Sequence, residues 1–274
     1  MKRESSARHF IGKLRHEGPA WLARTVFNRL SPAHPAVARA VAHVVRDRTG
    51  LEIGGPSQVF DANGILPVYP FAACVDNVNF ARRTAWEADL QDGGPFPFRP
   101  DWAPGRQWIR EATDLHGMAD GSFDFLLSSH CLEHLANPLA ALREWRRITR
   151  DGGHLVLILP YPKYTFDHRR PITTLSHLQA DFANETAESD QTHVPEILSL
   201  HDLWRDPLAG TMEEFRTRTL GNADNRCLHH HVFDLPLIRT VLLETGWRPI
   251  AIECVRPLHL VALAIKESPV VGRE

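Results

Sequence analysis

The sequence has few cysteines, no long apolar run and no excess of charge of either sign. Its four cysteines, Cys74, Cys131, Cys227 and Cys254, lie far apart and form no CxxC pair. That spacing argues against a zinc ribbon or a disulfide framework and fits reduced thiols in the cytoplasm. No run of about 18 apolar residues is present. The basic start at Lys2, Arg3 and Arg8 leads into polar positions where a signal peptide would have an apolar core, so neither membrane insertion nor export is expected. Thirty-one Lys and Arg against 33 Asp and Glu leave a formal charge of −2, which gives no field to attract nucleic acid.

What is present is 274 residues, 43% of them hydrophobic, enough for one α/β domain with an elaboration. Residues 7–30 interleave Phe10, Ile11, Leu14, Trp21, Leu22 and Val26 with Arg15, Arg24 and Arg29, an amphipathic pattern broken near Gly18-Pro19. We read it as scaffold helices or a homodimer contact, because Glu4 and Glu17 suit a transit or lipid-surface segment poorly. A helix from Pro35 to about Arg48, stopped at Gly50, then delivers the chain into Leu51-Glu52-Ile53-Gly54-Gly55-Pro56-Ser57.

That stretch has the form of a buried strand breaking into a glycine turn, where a missing Cβ lets a ligand approach the backbone. A phosphate-cradling turn uses successive backbone N–H donors, and Pro56 removes one, so a dinucleotide is disfavoured. Glu52 suits a cation, such as the ammonium group of S-adenosylmethionine. Residues 71–76 form a second expected strand ending in Asp76, 22 positions after Gly54, where doubly wound folds hold ribose hydroxyls. A Gly/Pro-rich loop at residues 91–106, a short strand at Trp108-Ile109 and Asp114-Leu115 follow. The apolar run 123–128 is a fourth strand, and it opens into Ser129-His130-Cys131-Leu132-Glu133-His134. Asn137-Pro138 starts a helix that should reach Arg150 and stop at Gly152-Gly153, ahead of a fifth strand from His154 to Leu159. Residues 161–231 carry no strong period and read as a helical cap over the site. Asp234 then caps a helix to Thr245, and strands at Pro249–Val255 and His259–Lys266 complete the pattern.

LEIGGPS, Asp76, the block from Asp120 to Pro160 and the HVF…LLETGW segment together resemble class I S-adenosylmethionine-dependent methyltransferases of the type 11 group. The chain departs from that group in one respect, carrying Gly-Gly-Pro-Ser where GxGxG is usual. The resemblance implies a Rossmann-like α/β fold, with a seven-stranded sheet whose last strand is antiparallel, helices on both faces and a helical cap. It divides the chain into N-terminal helices (1–48), a cofactor-binding half (49–160), an acceptor-binding insertion (161–231) and a closing helix and hairpin (232–274). By position, Glu52, Gly54 and Gly55 would hold the methionine portion of S-adenosylmethionine, Asp76 the ribose, Asp114 and Leu115 the adenine, and Ser129 or His130 would lie near the sulfonium.

The segment Pro160–Pro171 resembles a stretch of methyltransferases that modify saccharides, such as those of methylmannose polysaccharide synthesis, and implies a saccharide substrate. Tyr164, Asp167, His168, Arg169 and His231 are then candidates to bind it, the last because His231 in an extended segment shares a face with His229. A sugar hydroxyl needs a general base or a divalent metal to lose its proton. His130, Glu133 and His134 sit where the methyl should be and, with His229, resemble the metal site of small-RNA 2′-O-methyltransferases, which implies Mg2+. Three roles remain open for the group: metal site, His134 as simple base, or structural. HxxEH as a protease motif is disfavoured, because here it follows a strand and precedes a new helix start. Two other functions stay open, methylation of a small aromatic or amino acceptor without metal and non-catalytic cofactor or partner binding.

Overall fold

The computed structural model describes residues 35–206, 208–255 and 258–267; the helical reading of residues 7–30 lies outside them. The first helix, α1 (Pro35–Val45), places Val37, Val41 and Val45 at four-residue spacing, and all three are buried against the sheet. The chain then alternates through β1 (Thr49–Ile53), β2 (Cys74–Asn79), β3 (Pro95–Phe96), β4 (Gly105–Ile109) and β5 (Phe123–Ser129). It continues with α2 (Pro138–Ile148) and β6 (Thr149–Pro160). Between β6 and the closing elements lie α3 (Leu175–Ala183), α4 (Val194–Leu200), α5 (Met212–Leu220) and the single turn α6 (Asn222–Asn225). The fold closes with α7 (Leu235–Glu244), β7 (Trp247–Val255) and β8 (His259–Lys266).

The eight strands form one sheet in the order β3-β4-β2-β1-β5-β6-β8-β7. Pairings from β4 through β6 are parallel, and β8 runs antiparallel to both β6 and β7. This is a Rossmann-like sheet. The expected seven strands are joined by an eighth, the two-residue β3, which pairs antiparallel with β4 at the edge. Strand parity divides the core: Leu126, Leu155, Leu157 and Leu260 face the layer of α2 and α7, whereas Phe125, Leu127, Val156 and Leu263 face the layer of α1. A side chain at Gly50 would strike the Phe125 ring, so that glycine is required by packing.

Several boundaries differ from those read in the sequence, three of them with a plain local cause. The second strand begins at Cys74 and ends at Asn79, because Phe71 and Ala72 belong to a turn that hydrogen-bonds back to Val68. Helix α2 ends at Ile148, where the Thr149 hydroxyl donates to the Trp145 carbonyl, and Gly152-Gly153 lie inside β6. Helix α7 likewise ends one residue early, at Glu244. Its start matches, with Asp234 accepting from the Leu237 amide at 2.8 Å, as does that of α2, where Asn137 accepts from Ala140 at 3.1 Å. The insertion has its own small apolar cluster of Val194, Ile197, Ala209, Phe215 and Leu228. Among the described residues, no helix is long and apolar enough to cross a membrane.

Candidate active site

The carboxyl ends of β1, β2, β4 and β5 open into a cavity of about 760 Å³, in the range that holds cofactor-sized ligands. Gly54, Gly55, Ser129, His130, His134 and His229 all line it, so the structure brings these expected residues together. Thr84–Glu87, Arg110–Ala112 and Phe166 complete much of its wall.

Gly54 has a φ of 82°, a left-handed conformation that favours glycine. A side chain at Gly55 would land 2.3 Å from the Glu52 carboxyl carbon, so the turn lies directly on that acid. Glu52 is therefore buried beneath the turn and does not line the cavity, which corrects its expected contact with a ligand cation. It accepts a 2.5 Å hydrogen bond from the Tyr69 hydroxyl. Burial pushes its carboxyl up to about 7, against hydrogen bonds from Ser57 and Tyr69. Asn77 grips the same turn, accepting from the Gly55 amide and donating to its carbonyl, both at 3.0 Å. Asn79 and Gln107 extend this buried network.

The expected ribose acid moves with the strand boundary. Asp76 lies in mid-strand, pairs in register with Leu51 and accepts from the Arg106 amide at 2.8 Å and from Trp108 Nε1 at 3.1 Å. It does not line the cavity; Asn79 ends the strand there, and the carboxylates on the wall are Glu87, Glu111 and Asp206. The adenine expectation shifts similarly. Asp114 is exposed beside His116 and Leu115 is fully buried, whereas Arg110, Glu111 and Ala112 face the cavity.

Past β5, the chain turns through His130 at a φ of 51°, sparsely populated by non-glycine residues and common at functional sites. One His130 nitrogen lies 2.9 Å from His259 Nδ1 on β8; the other lies 3.5 Å from Glu133 Oε1. Glu133 is fully buried and lies behind the cavity wall that His130, His134 and His229 form; apart from the long His130 contact, neither carboxylate oxygen has a hydrogen-bond partner. Burial alone would raise its pKa, but the imidazoles of His130, His134 and His229 outweigh that and hold it below the usual range. Glu133, His134 and His229 each offer a donor atom, and the three lie within 4.8 Å of one another. His134 Nδ1 lies 3.1 Å from the Leu228 carbonyl, which fixes the proton on that nitrogen and leaves Nε2 as a lone-pair donor. Burial, with His229 alongside, pushes His134 down to about 4, so it is neutral at pH 7.

His229 is oriented by Asp167, whose Oδ2 lies 2.6 Å from Nδ1. Despite burial, Asp167 raises the His229 pKa. His229 and Arg170 in turn hold Asp167 at about 2 against its own burial. Asp167 is thus a buried positioning acid and corrects the expected substrate contact. His168 and Arg169 both pair with Asp202, at 2.9 Å and 3.5 Å, and neither they nor Tyr164, packed edge-on to Tyr161, line the cavity. His231 is buried and faces away from the cavity toward the Ala136 carbonyl. Residues 227–234 form no regular strand, so the two-residue alternation behind that expectation does not apply. Cys131 also lines the cavity, but burial and the Glu133 charge push its thiol pKa upward, which makes it a poor nucleophile.

Residues 101–157, from the loop before β4 into β6, match the family model described as methyltransferase domain. No curated protein matches the sequence. Among solved structures, the chain is similar to an S-adenosylmethionine-dependent methyltransferase from Aquifex aeolicus, with 14% identity over 87% of this chain and 92% of that one and a TM-score of 0.47. A corresponding enzyme from Mesorhizobium loti gives 16%, 84%, 96% and 0.48. The 1,6-didemethyltoxoflavin-N1-methyltransferase of Burkholderia thailandensis, solved with 1,6-didemethyltoxoflavin and S-adenosylhomocysteine, gives 13%, 97%, 89% and 0.45. That family match covers about a fifth of the chain, from the loop before β4 into β6.

Proposed function

We propose that the protein transfers a methyl group from S-adenosylmethionine to a hydroxyl of a saccharide, with Glu133, His134 and His229 holding a divalent cation beside the acceptor. The observation that carries this reading is the buried Glu133 carboxylate, with both oxygens unpartnered and two imidazole donors within 4.8 Å, at the mouth of β5. S-adenosylmethionine supplies an electrophilic methyl, and the cation supplies a Lewis acid that eases loss of the hydroxyl proton. One carboxylate with two imidazoles is a softer donor set than magnesium prefers, so manganese, cobalt or zinc suits it better than the Mg2+ expected from resemblance.

The glycine turn presents bare backbone at Gly54 and Gly55 to the methionine portion of the cofactor. Ser129 and His130 flank the region where acceptor and methyl meet, and the His259 contact braces His130 there. Asp167 fixes His229 with Nδ1 engaged, leaving Nε2 as its donor. On the acceptor side, Trp86, edge-on to His134 at 5.6 Å, offers a face for a sugar ring, and Glu87 and Asp206 offer hydroxyl acceptors. Holding the hydroxyl in line with the methyl is the main catalytic task of such a site.

A second reading is favoured by the 2.6 Å Asp167–His229 pair: a carboxylate–imidazole dyad acting as a metal-free base, on a sugar or on a small aromatic or amino acceptor. Turnover of labelled cofactor should be measured on saccharide, aromatic and amine panels, after chelation and after restoring manganese or magnesium. Saccharide methylation that chelation abolishes and manganese restores supports the first reading, and undiminished turnover after chelation sinks the metal. Transfer to amines or aromatics alone sinks the sugar. Cofactor binding without transfer to any acceptor points to a non-catalytic role.

A further inference from the structure

Outside the cavity, four metal-competent side chains converge where the insertion meets the 227–234 segment. His177 and Asp181 stand one turn apart on α3, His193 is the residue before α4, and His231 lies on the segment ahead of α7. Each offers one donor atom, and all four atoms lie within 4.8 Å of one another. The measured separations are 3.1 Å between His177 Nε2 and His193 Nε2, 3.3 Å between His177 Nε2 and Asp181 Oδ2, and 3.7 Å between His231 Nε2 and Asp181 Oδ2. Ligands on a tetrahedral zinc ion, at roughly 2.0–2.2 Å from the metal, stand about 3.3–3.5 Å apart.

Two further observations point to a ligand. Asp181 Oδ2 is buried without a hydrogen-bond partner, a state that native proteins rarely leave uncompensated. An outer contact like those that orient metal ligands is present at Asp181, whose other oxygen accepts from Thr186 Oγ1 at 3.2 Å; His231 Nε2, which faces Asp181, also lies 3.3 Å from the Ala136 carbonyl and would exchange that contact for the ion. A neighbouring trio of Asp190, His193 and His230 shares His193. It is less suited, because Asp190 already accepts from Thr192 and His230 Nε2 already meets Asn222.

We infer that His177, Asp181, His193 and His231 form a structural zinc site. Four protein ligands close the sphere, unlike the three-donor arrangement of Glu133, His134 and His229, which leaves room for an acceptor oxygen. The ion fastens α3 and the start of α4 to the segment that carries His229 into the cavity. The same segment is tied to the catalytic turn, with the His231 amide donating to the Glu133 carbonyl at 3.3 Å.

The test uses the full chain, stripped with a chelator and reloaded with zinc or with cobalt, whose visible bands report four-coordinate geometry. Wild type should bind cobalt with intense four-coordinate bands, and zinc should raise its Tm. Because the cavity trio also suits cobalt and zinc, the comparison is made in the Glu133→Gln background, where His177→Ala, whose side chain is 41% exposed and which should fold, must lose the bands and the Tm gain, and His193→Ala should do the same. Glu133→Gln must keep both, which separates this site from the cavity. Four-coordinate bands that survive in the Glu133→Gln, His177→Ala double variant, or a Glu133→Gln protein that shows neither bands nor a zinc-dependent Tm, would overturn the assignment.

Discussion

Glu52 at the end of β1 and Glu133 just past β5 are both fully buried at the carboxyl edge of the same sheet, and burial alone would raise the pKa of each. Glu52 faces Tyr69 and the underside of the glycine turn, where no basic side chain among the described residues offsets its burial, and its carboxyl rises to about 7. Glu133 faces three imidazoles and stays below the ordinary carboxylate range. The first acid relieves its burial by taking up a proton and belongs to the scaffold. The second keeps its charge with both oxygens unpartnered, the condition of an acid that serves a ligand.

Glu133→Gln tests this contrast most severely. It should cut turnover about a thousandfold, ~4 kcal/mol of lost Lewis-acid stabilisation, while leaving Tm unchanged or raised. Turnover within a few-fold of wild type would place Glu133 in the scaffold with Glu52. Glu52→Gln should act on stability and only at higher pH. Below the ordinary value of 4.5 both states hold the proton; between 4.5 and about 7 the unfolded chain releases a proton that the folded chain keeps, so wild-type stability falls as pH rises. The full cost, about 3 kcal/mol, is present above pH 7. Urea melts at pH 4 and pH 8 should therefore show the Gln variant ahead only at pH 8, and a lead independent of pH would refute the protonated acid.

Asn77→Ala should cost about 2 kcal/mol by leaving the Gly55 amide and carbonyl short of partners, visible as a lower urea midpoint with unchanged m. Asp167→Asn should lower turnover about tenfold and move the acidic limb of the pH profile to lower pH, because Asp167 is what raises the His229 pKa. An unmoved limb would separate His229 from the rate. Arg169→Ala removes a half-exposed partner of Asp202 and should change stability by less than about 0.5 kcal/mol and KM not at all; a large KM rise would return Arg169 to the acceptor site.

The central strands were legible from their apolar runs and two helix starts from their caps: Asn137-Pro138 and Asp234 both cap as read. The approach of His229 to Glu133 and His134 followed from resemblance at the level of motif spacing. What the sequence hid was mostly register. A strand that starts at Cys74 in place of Phe71 puts Asn79 where Asp76 was expected, and a residue in mid-strand has no access to the ligand edge. Glu52 was misread for a related reason. It alternates with Leu51 and Ile53 and so shares the face of the Tyr69 layer, a parity visible in the sequence, but the partner that defines that layer lies 17 residues away in an aperiodic loop. The cluster around His231 was hidden because α3 has a weak apolar stripe and its ligands come from three separated stretches.

The contact between His130 and His259 joins residues 129 positions apart. Because β8 pairs with β6 near the middle of the sheet's antiparallel end, the strand that braces His130 is also the last described strand in the chain. On a ribosome, β1 through β6 are synthesised well before residue 259 emerges, so His130 meets its brace only after β7 and β8 have been made. A nascent chain halted before that point would hold the glycine turn and Glu133 without the finished mouth of β5. Maturation of this site thus waits on translation of the β7–β8 hairpin.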